Sequence, residues 1–501
     1  MANPMWDALF APLAGRPGPL LMMADGSALD GPRFLSLVAR AAAGLEAAGV
    51  HAGDRVAVQV AKTPQALAVY AAAVAAGAVF LPLNTAYTAP EVAYFLNDAT
   101  PRLFVCDPAR AEELAPVARA AGARLATLDT AGQGDVLLPA SGPVRVADRG
   151  GDDLAAILYT SGTTGRAKGA MLTQTNMLSN ARALADLWRF SPDDVLIHAL
   201  PIFHTHGLFV ATHVSLLSRA AMIFLPSFDA GQVIRLMPLA TAMMGVPTFY
   251  TRLLDRADFT REVAAGMRLF VSGSAPLLAE THAAFEARTG HRILERYGMT
   301  ETGMNTSNPC EGERRAGTVG LPLPGVEVRI LANGSEVAPG EVGTIEVRGP
   351  NVFKGYWQMP DKTAEDLRPD GWFVTGDLAT RDADGYIRIV GRAKDLIISG
   401  GFNVYPVEVE EALDALPEVR ESAVIGLPHP DFGEAVFAVL VPEPGARLDP
   451  AAVLAGLSGR LARFKQPKAA AVVAELPRNA MGKVQKAALR AEHADRFAAG
   501  G

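Results

Sequence analysis

Apolar runs of four to six residues alternate with helical patterns through the first two-thirds of the chain. Arg55-Val56-Ala57-Val58-Gln59-Val60 is followed by a helical pattern over 64–76 and then by Val79-Phe80-Leu81-Pro82-Leu83. This β-α-β rhythm predicts parallel sheets covered by helices. Val195-Leu196-Ile197-His198 and Ala221-Met222-Ile223-Phe224-Leu225 read as strands in the same manner. The most continuous apolar stretch, over 66–81, is rich in alanine and stops at Pro82. It is short for a membrane span and predicts a buried helix and strand. From about residue 326 the period falls to two, in Val326-Glu327-Val328-Arg329-Ile330 and Gly343-Thr344-Ile345-Glu346-Val347-Arg348. That pattern predicts a smaller antiparallel sheet or barrel with one wet face. A third unit begins near Gly391-Arg392, with a helix over 404–416 opened by Pro406 and strands at Ser422–Gly426 and Ala435–Leu440. The fold class is therefore α/β.

A chain of 501 residues is too long for one core, so about two to four packed units are expected. The net charge of −7 argues against non-specific nucleic-acid binding, which needs a basic face. Anionic substrates must be met by local cations instead. Cys106 and Cys310, the only cysteines, cannot staple a chain of this length; their scarcity fits a reducing, cytoplasmic location. The first ten residues carry Asp7 and no basic segment, which does not read as a signal peptide.

The densest chemistry lies in Tyr159-Thr160-Ser161-Gly162-Thr163-Thr164-Gly165-Arg166-Ala167-Lys168-Gly169, with three glycines, four aliphatic hydroxyls and two cations. Glycines let backbone N–H groups crowd around a ligand, and hydroxyls add donors for phosphate oxygens. The run follows the strand-like Leu154-Ala155-Ala156-Ile157-Leu158 and reads as a triphosphate-gripping loop. It is not a Walker A loop, because the spacing from Gly162 is G-x-x-G-x-x-K-G. Ser272-Gly273-Ser274-Ala275-Pro276-Leu277 is a small-residue turn after a strand, where a ring or phosphate can approach closely. Tyr297-Gly298-Met299-Thr300-Glu301 combines an aromatic face for a base, a hydroxyl for a phosphate and a hard carboxylate oxygen for Mg2+. His204-Thr205-His206 is weak evidence for zinc, which needs a third ligand.

These segments, in this order, resemble the adenylate-forming superfamily of acyl-CoA synthetases, luciferases and adenylation domains. The resemblance covers nearly the whole chain. It implies an N-terminal adenylating domain over 1–392, comprising α/β layers to about 325 and a β-barrel-like subdomain over 326–392, and a mobile α+β C-terminal domain over 393–501. It also implies ATP, Mg2+ and coenzyme A. Thr160, Ser161, Gly162, Thr163, Thr164, Gly165 and Lys168 would grip the triphosphate. Ser272, Gly273, Ser274, Ala275, Tyr297, Gly298 and Met299 would border the nucleotide, and Thr300 would meet the α-phosphate. Glu301 would hold the metal. Asp377, read as ending the strand begun at Trp372, would take the ribose hydroxyls, with Arg392 near it. Lys394 falls at the hinge, Gly400 and Gly401 in the loop that lines the pantetheine tunnel, and Lys483 at the catalytic lysine. Ala167 departs from the pattern, standing where the family commonly has proline. Lys468 and Lys486 read as plain surface lysines.

The acid is narrowed by three further segments: Ala199–Val210, Val246–Leu254 and Met299–Pro309 together resemble bacterial malonyl-CoA synthetases. That resemblance implies malonate, with methylmalonate tolerated. Arg252 would hold the distal carboxylate through a forked contact, and Ser272, His206 and Met304 would shape a short pocket. A CoA ligase for a short or aromatic monocarboxylate, and an enzyme that loads a carrier protein, are the alternatives. Expected partners are small molecules only, with no nucleic acid and no membrane, for a monomer or homodimer.

Overall fold

The computed structural model describes residues 3–140, 142–160, 167–458, 460–479 and 482–497. Two sheets with mostly parallel strands form the larger part. One has six strands in the order Arg124–Thr127, Leu103–Cys106, Arg55–Gln59, Val79–Pro82, Leu154–Thr160, Lys168–Thr173, and only the last pair is antiparallel. The other has nine, with Leu294–Met299, Leu269–Ser272, Ala242–Gly245, Val195–His198, Ala221–Phe224 and Pro19–Met22 running parallel through its middle.

Alternation along each strand decides what it packs against. Val56 and Val58 from one sheet and Leu196, Met222 and Leu269 from the other share one large core. Their neighbours face outward into separate clusters: Ala57, with Phe104 and Ile157, on one side, and Ile197, Ile223 and Phe270 on the other. The helix Pro64–Ala75 lies in the shared core and is buried at every position from Ala66 to Ala75, so it has no polar face. Thr63 caps its first turn and Pro64 starts it.

The period-two segment forms a five-stranded antiparallel sheet that includes Glu327–Ala332, Gly343–Arg348, Phe373–Arg381 and Ile387–Arg392. The last unit pairs Val419–His429 with Gly433–Pro442 in a long antiparallel ladder, backed by the helix Pro406–Asp414. No described helix is long and apolar enough to cross a membrane.

One expected boundary is corrected. Asp377 does not end a strand; it lies inside Phe373–Arg381, paired with Arg392, one residue after Gly376 at φ +73° and just before a register shift at Leu378/Ala379. The bulge re-aims the carboxylate without ending the strand.

Candidate active site

The cleft is built where strand ends of both sheets, the antiparallel sheet and the C-terminal unit meet. Ser161, Gly162, Thr163, Thr164 and Gly165 lie outside the described residues. The strands that flank them hold Thr160 opposite Lys168. Thr160 Oγ1 is 3.5 Å from Glu301 Oε1, which also accepts from the Tyr356 hydroxyl at 3.1 Å. The Lys168 ammonium reaches the same hydroxyl at 3.1 Å and pairs with Asp366 at 3.5 Å. The buried Glu301 carboxylate thus ties the Tyr297–Glu301 segment to Thr160 directly and, through the Tyr356 hydroxyl, to Lys168.

Tyr297 donates its hydroxyl to Asp377 at 2.5 Å, and Arg392 pairs with the other carboxylate oxygen at 2.7 Å. Burial and the Asp377 charge raise the Tyr297 pKa well above the ordinary phenol value, so it stays a donor. Gly298 is required by packing: a Cβ there would lie 2.1 Å from the Gly303 carbonyl and 2.6 Å from Met304 Cε. Met304 is itself buried, with its backbone held at both ends by Asn180.

The other side of the cleft holds an arginine that sequence reasoning missed. Arg296 lies on the strand Leu294–Met299 and is 4 % exposed. Among the described residues, its Nε and Nη2 meet no hydrogen-bond partner. Gly273 lets the guanidinium in, because a Cβ there would lie 2.4 Å from Cζ. Ser272 Oγ and His206 Nε2 are likewise buried without partners, while His206 Nδ1 is 3.2 Å from Ser274 Oγ. Ser274 sits at φ +74°, strain of the kind that collects at functional sites. Burial pulls the Arg296 pKa down to about 9. A guanidinium keeps its proton, so the depression marks a charge held without a counter-ion. Burial, with Lys483 and Arg296 adding to it, pushes His204 down to about 3, so that imidazole is neutral. Two cations, neutral imidazoles and unpartnered donors make a pocket suited to anions.

Arg252 does not belong to this group. The helix Pro247–Leu254 turns Tyr250 and Leu253 inward, and Arg252 falls on the exposed face. The sequence signal for Arg296 was available: Glu295 and Arg296 are adjacent charges inside an apolar strand pattern, where a charge needs a reason to be buried.

The C-terminal unit closes the cleft. Gly482 rests against Val246 and Thr248 at the start of that same helix; a Cβ there would be 3.3 Å from Thr248 Oγ1. Lys483, still reached by water, extends among Arg392, Asp377, Glu301 and Arg296. Loss of hydration in the cleft, then Arg392, lowers its pKa. Arg420 pairs with Asp255 across the two units at 2.9 Å. Lys394 is exposed in the short turn Ala393–Asp395. Gly400 and Gly401, at φ +58° and +84°, turn the chain between Ile397–Ser399 and Phe402–Val404. A Cβ on Gly401 would meet open space, so here backbone conformation, and not crowding, is what favours glycine. Lys486 is not a plain surface lysine; it pairs with Glu410 at 2.6 Å and is mostly covered.

Residues 20–357 match the AMP-binding enzyme family, and residues 408–483 match the AMP-binding enzyme C-terminal domain. The chain belongs to this family. It is an AMP-forming acyl-CoA ligase and works with ATP, Mg2+ and coenzyme A. It is 54 % identical to ATP-bound MatB from Rhodopseudomonas palustris, with a TM-score of 0.96 over 99 % of this chain and 100 % of that one. Against the apo form of that protein, with the same coverage, the TM-score is 0.84. It is also 38 % identical to the feruloyl-CoA synthase of an Amycolatopsis species, over 93 % of this chain and 94 % of the relative. The mitochondrial malonate–CoA ligase of Mus musculus is 38 % identical, over 82 % and 76 %. Glu301, joined to Thr160 and the Tyr356 hydroxyl, fits Mg2+, which usually takes one or two carboxylates beside nucleotide oxygens. Among the described residues no cluster of three or more acidic, histidine or cysteine ligands competes for that role.

Proposed function

We propose that the protein is a malonyl-CoA synthetase, converting ATP, malonate and CoA to malonyl-CoA, AMP and diphosphate, with methylmalonate as a second acid. The observation that carries this reading is the Arg296 guanidinium, buried beside Ser272, Gly273 and His206 without a carboxylate partner among the described residues. A monocarboxylate with an apolar tail would leave that charge unanswered, which is costly. A second carboxylate answers it through forked N–H···O contacts. The relatedness to a malonate–CoA ligase supports the same choice.

The reacting carboxylate attacks the α-phosphorus of ATP; an oxygen–phosphorus bond forms and diphosphate leaves. Lys483, with Thr300, stabilises the charge that gathers at that centre. The Ser161–Gly165 loop with Thr160 and Lys168 grips the outer phosphates, Glu301 would hold Mg2+, whose charge would offset that of the phosphates, and Asp377 takes the ribose hydroxyls beside Tyr297. The unit beyond Lys394 then rotates, carrying Lys483 out and the Gly400–Gly401 turn in. The CoA thiol, losing its proton, attacks the acyl carbonyl, and AMP leaves. Met304 limits the length of the acid by bulk. The free Cys106 and Cys310 fit the reducing cytoplasm as the site of action.

The test is chromatography of products from ATP, Mg2+ and CoA with malonate, methylmalonate, acetate, sulfoacetate or ferulate. Malonyl-CoA and AMP in equal amounts, formed faster than any other thioester, are expected. Faster turnover of acetate or ferulate, or release of ADP, refutes the assignment.

A further inference from the structure

Behind the acyl pocket lies a lysine that the reaction does not use. Lys62 follows the strand Arg55–Gln59 of the six-stranded sheet, whereas His198 ends the strand Val195–His198 of the nine-stranded one. The Lys62 side chain is buried and forms no ion pair among the described residues. Its Nζ donates to the His198 carbonyl at 2.6 Å, lies 2.8 Å from His198 Nδ1, and stands 4.3 Å from the centre of the Phe224 ring. On the other side of the imidazole, Nε2 is 2.9 Å from the Gly207 carbonyl and 3.0 Å from Thr212 Oγ1, which itself donates to that carbonyl at 2.9 Å.

One proton arrangement satisfies all of these contacts. A carbonyl only accepts, so Nε2 carries the ring hydrogen and Nδ1 is the acceptor that Lys62 fills. The Gly207 carbonyl then receives two donors, from His198 and Thr212. Gly207 is the second residue of the π-helical turn His206–Thr212, and it is pressed so closely that a Cβ would lie 2.0 Å from the Pro201 carbonyl. The residue before it is His206, which faces Ser274 and the acyl pocket.

We propose that Lys62 is a positioning residue for acid recognition: through His198 it fixes the Gly207 carbonyl, and with it the π-turn that presents His206 to the substrate. The inference rests on the acyl pocket being where the acid binds. A methionine or leucine would pack on Phe224 as well without burying an amine, and burial holds the Lys62 pKa well below the usual lysine range. The cost is accounted for by what the amine holds across the junction of the two sheets.

The experiment is Lys62→Met in the full chain, read by ATP–diphosphate exchange with the acid that the unaltered enzyme turns over fastest. Loss of the donor that serves two buried acceptors, the His198 carbonyl and its Nδ1, is expected to raise the KM for the acid about tenfold and to leave the KM for ATP within about twofold. In a His206→Ala background Lys62→Met should add nothing, because both act on one contact. Equal shifts in both KM values, or penalties that multiply in the double variant, overturn the proposal. Should Lys62→Met not fold, Thr212→Val removes the second donor to the same carbonyl and should raise the acid KM alone by about threefold. An unchanged acid KM there overturns it equally. The substrate panel on the unaltered enzyme shows separately whether malonate is the acid.

Discussion

Arg296→Met separates the function of the buried guanidinium from its effect on folding, because the two effects have opposite sign. Methionine matches the aliphatic stem of arginine and is apolar, so the neighbours of that stem keep their contacts. With malonate bound, the substitution removes a forked pair of charge-assisted contacts and leaves the distal carboxylate alone in a covered site. Breaking such a pair costs about 3–5 kcal/mol, which is a fall in kcat/KM for malonate of between about a hundredfold and a few thousandfold. Acetate has no group for Arg296 to hold, so its kcat/KM should change by less than about fivefold. Without ligand the same change should stabilise the protein. A guanidinium that is 4 % exposed, with Nε and Nη2 unpartnered, is replaced by a side chain with no hydration to lose, worth about 1–4 kcal/mol in comparable buried-charge replacements. The assays are AMP release with each acid and thermal unfolding of the free protein. Equal losses for malonate and acetate, or a lower melting temperature with malonate activity intact, would refute the reasoning.

Gly273→Ala drives a methyl group to 2.4 Å from the Arg296 Cζ, so it should weaken malonate use at least tenfold and spare acetate, read from the two kcat/KM values. Lys483→Ala should abolish malonyl-AMP formation in single-turnover assays yet leave thioester formation from supplied malonyl-AMP; loss of both halves together would count against its assigned role. Burial, with Glu410, Glu421 and Glu280 adding to it, pushes the Asp414 carboxyl up to about 8. The folded state therefore keeps a proton that the unfolded chain releases above about pH 4, and stability falls as pH climbs from there to 8. Asp414→Asn should melt higher than the unaltered protein by a margin that opens across that window and is level above it; a margin independent of pH would sink the assignment.

What was legible in the chain was whatever is set by short-range pattern. The strand at Arg55–Gln59 can be read from its unbroken apolar run, and Gly343–Arg348 was found with the expected bounds; which face of the first meets the shared core could not be read, since Val56 and Ala57 are both apolar and both buried. Glu301, Tyr297 and Lys483 were singled out because their types and spacing form motifs, and the structure brings them to one cleft. Arg252 and Arg296 show where this stops. Both are arginines near small or aromatic residues, but a helix with Tyr250 and Leu253 facing inward leaves Arg252 outside, and only the tertiary approach of Gly273 makes room for Arg296. Asp377 was read as the close of a strand because a carboxylate after glycine ordinarily ends one; pairing with Ile387–Arg392 carries the strand through it. Lys62 and His198 lie 136 positions apart, and no local pattern could join them.

The turn His206–Thr212 also limits how this pocket can change over time. A π-turn holds one residue more than regular helix would need to cover the same rise. Deleting one residue and relaxing the segment to α geometry would remove that surplus and keep the flanking turns nearly in register, whereas the same deletion in a regular helix turns what precedes it by about 100° around the axis. A one-residue deletion here would therefore be absorbed within the turn itself, and its effect on acid choice would come through the local displacement of His206.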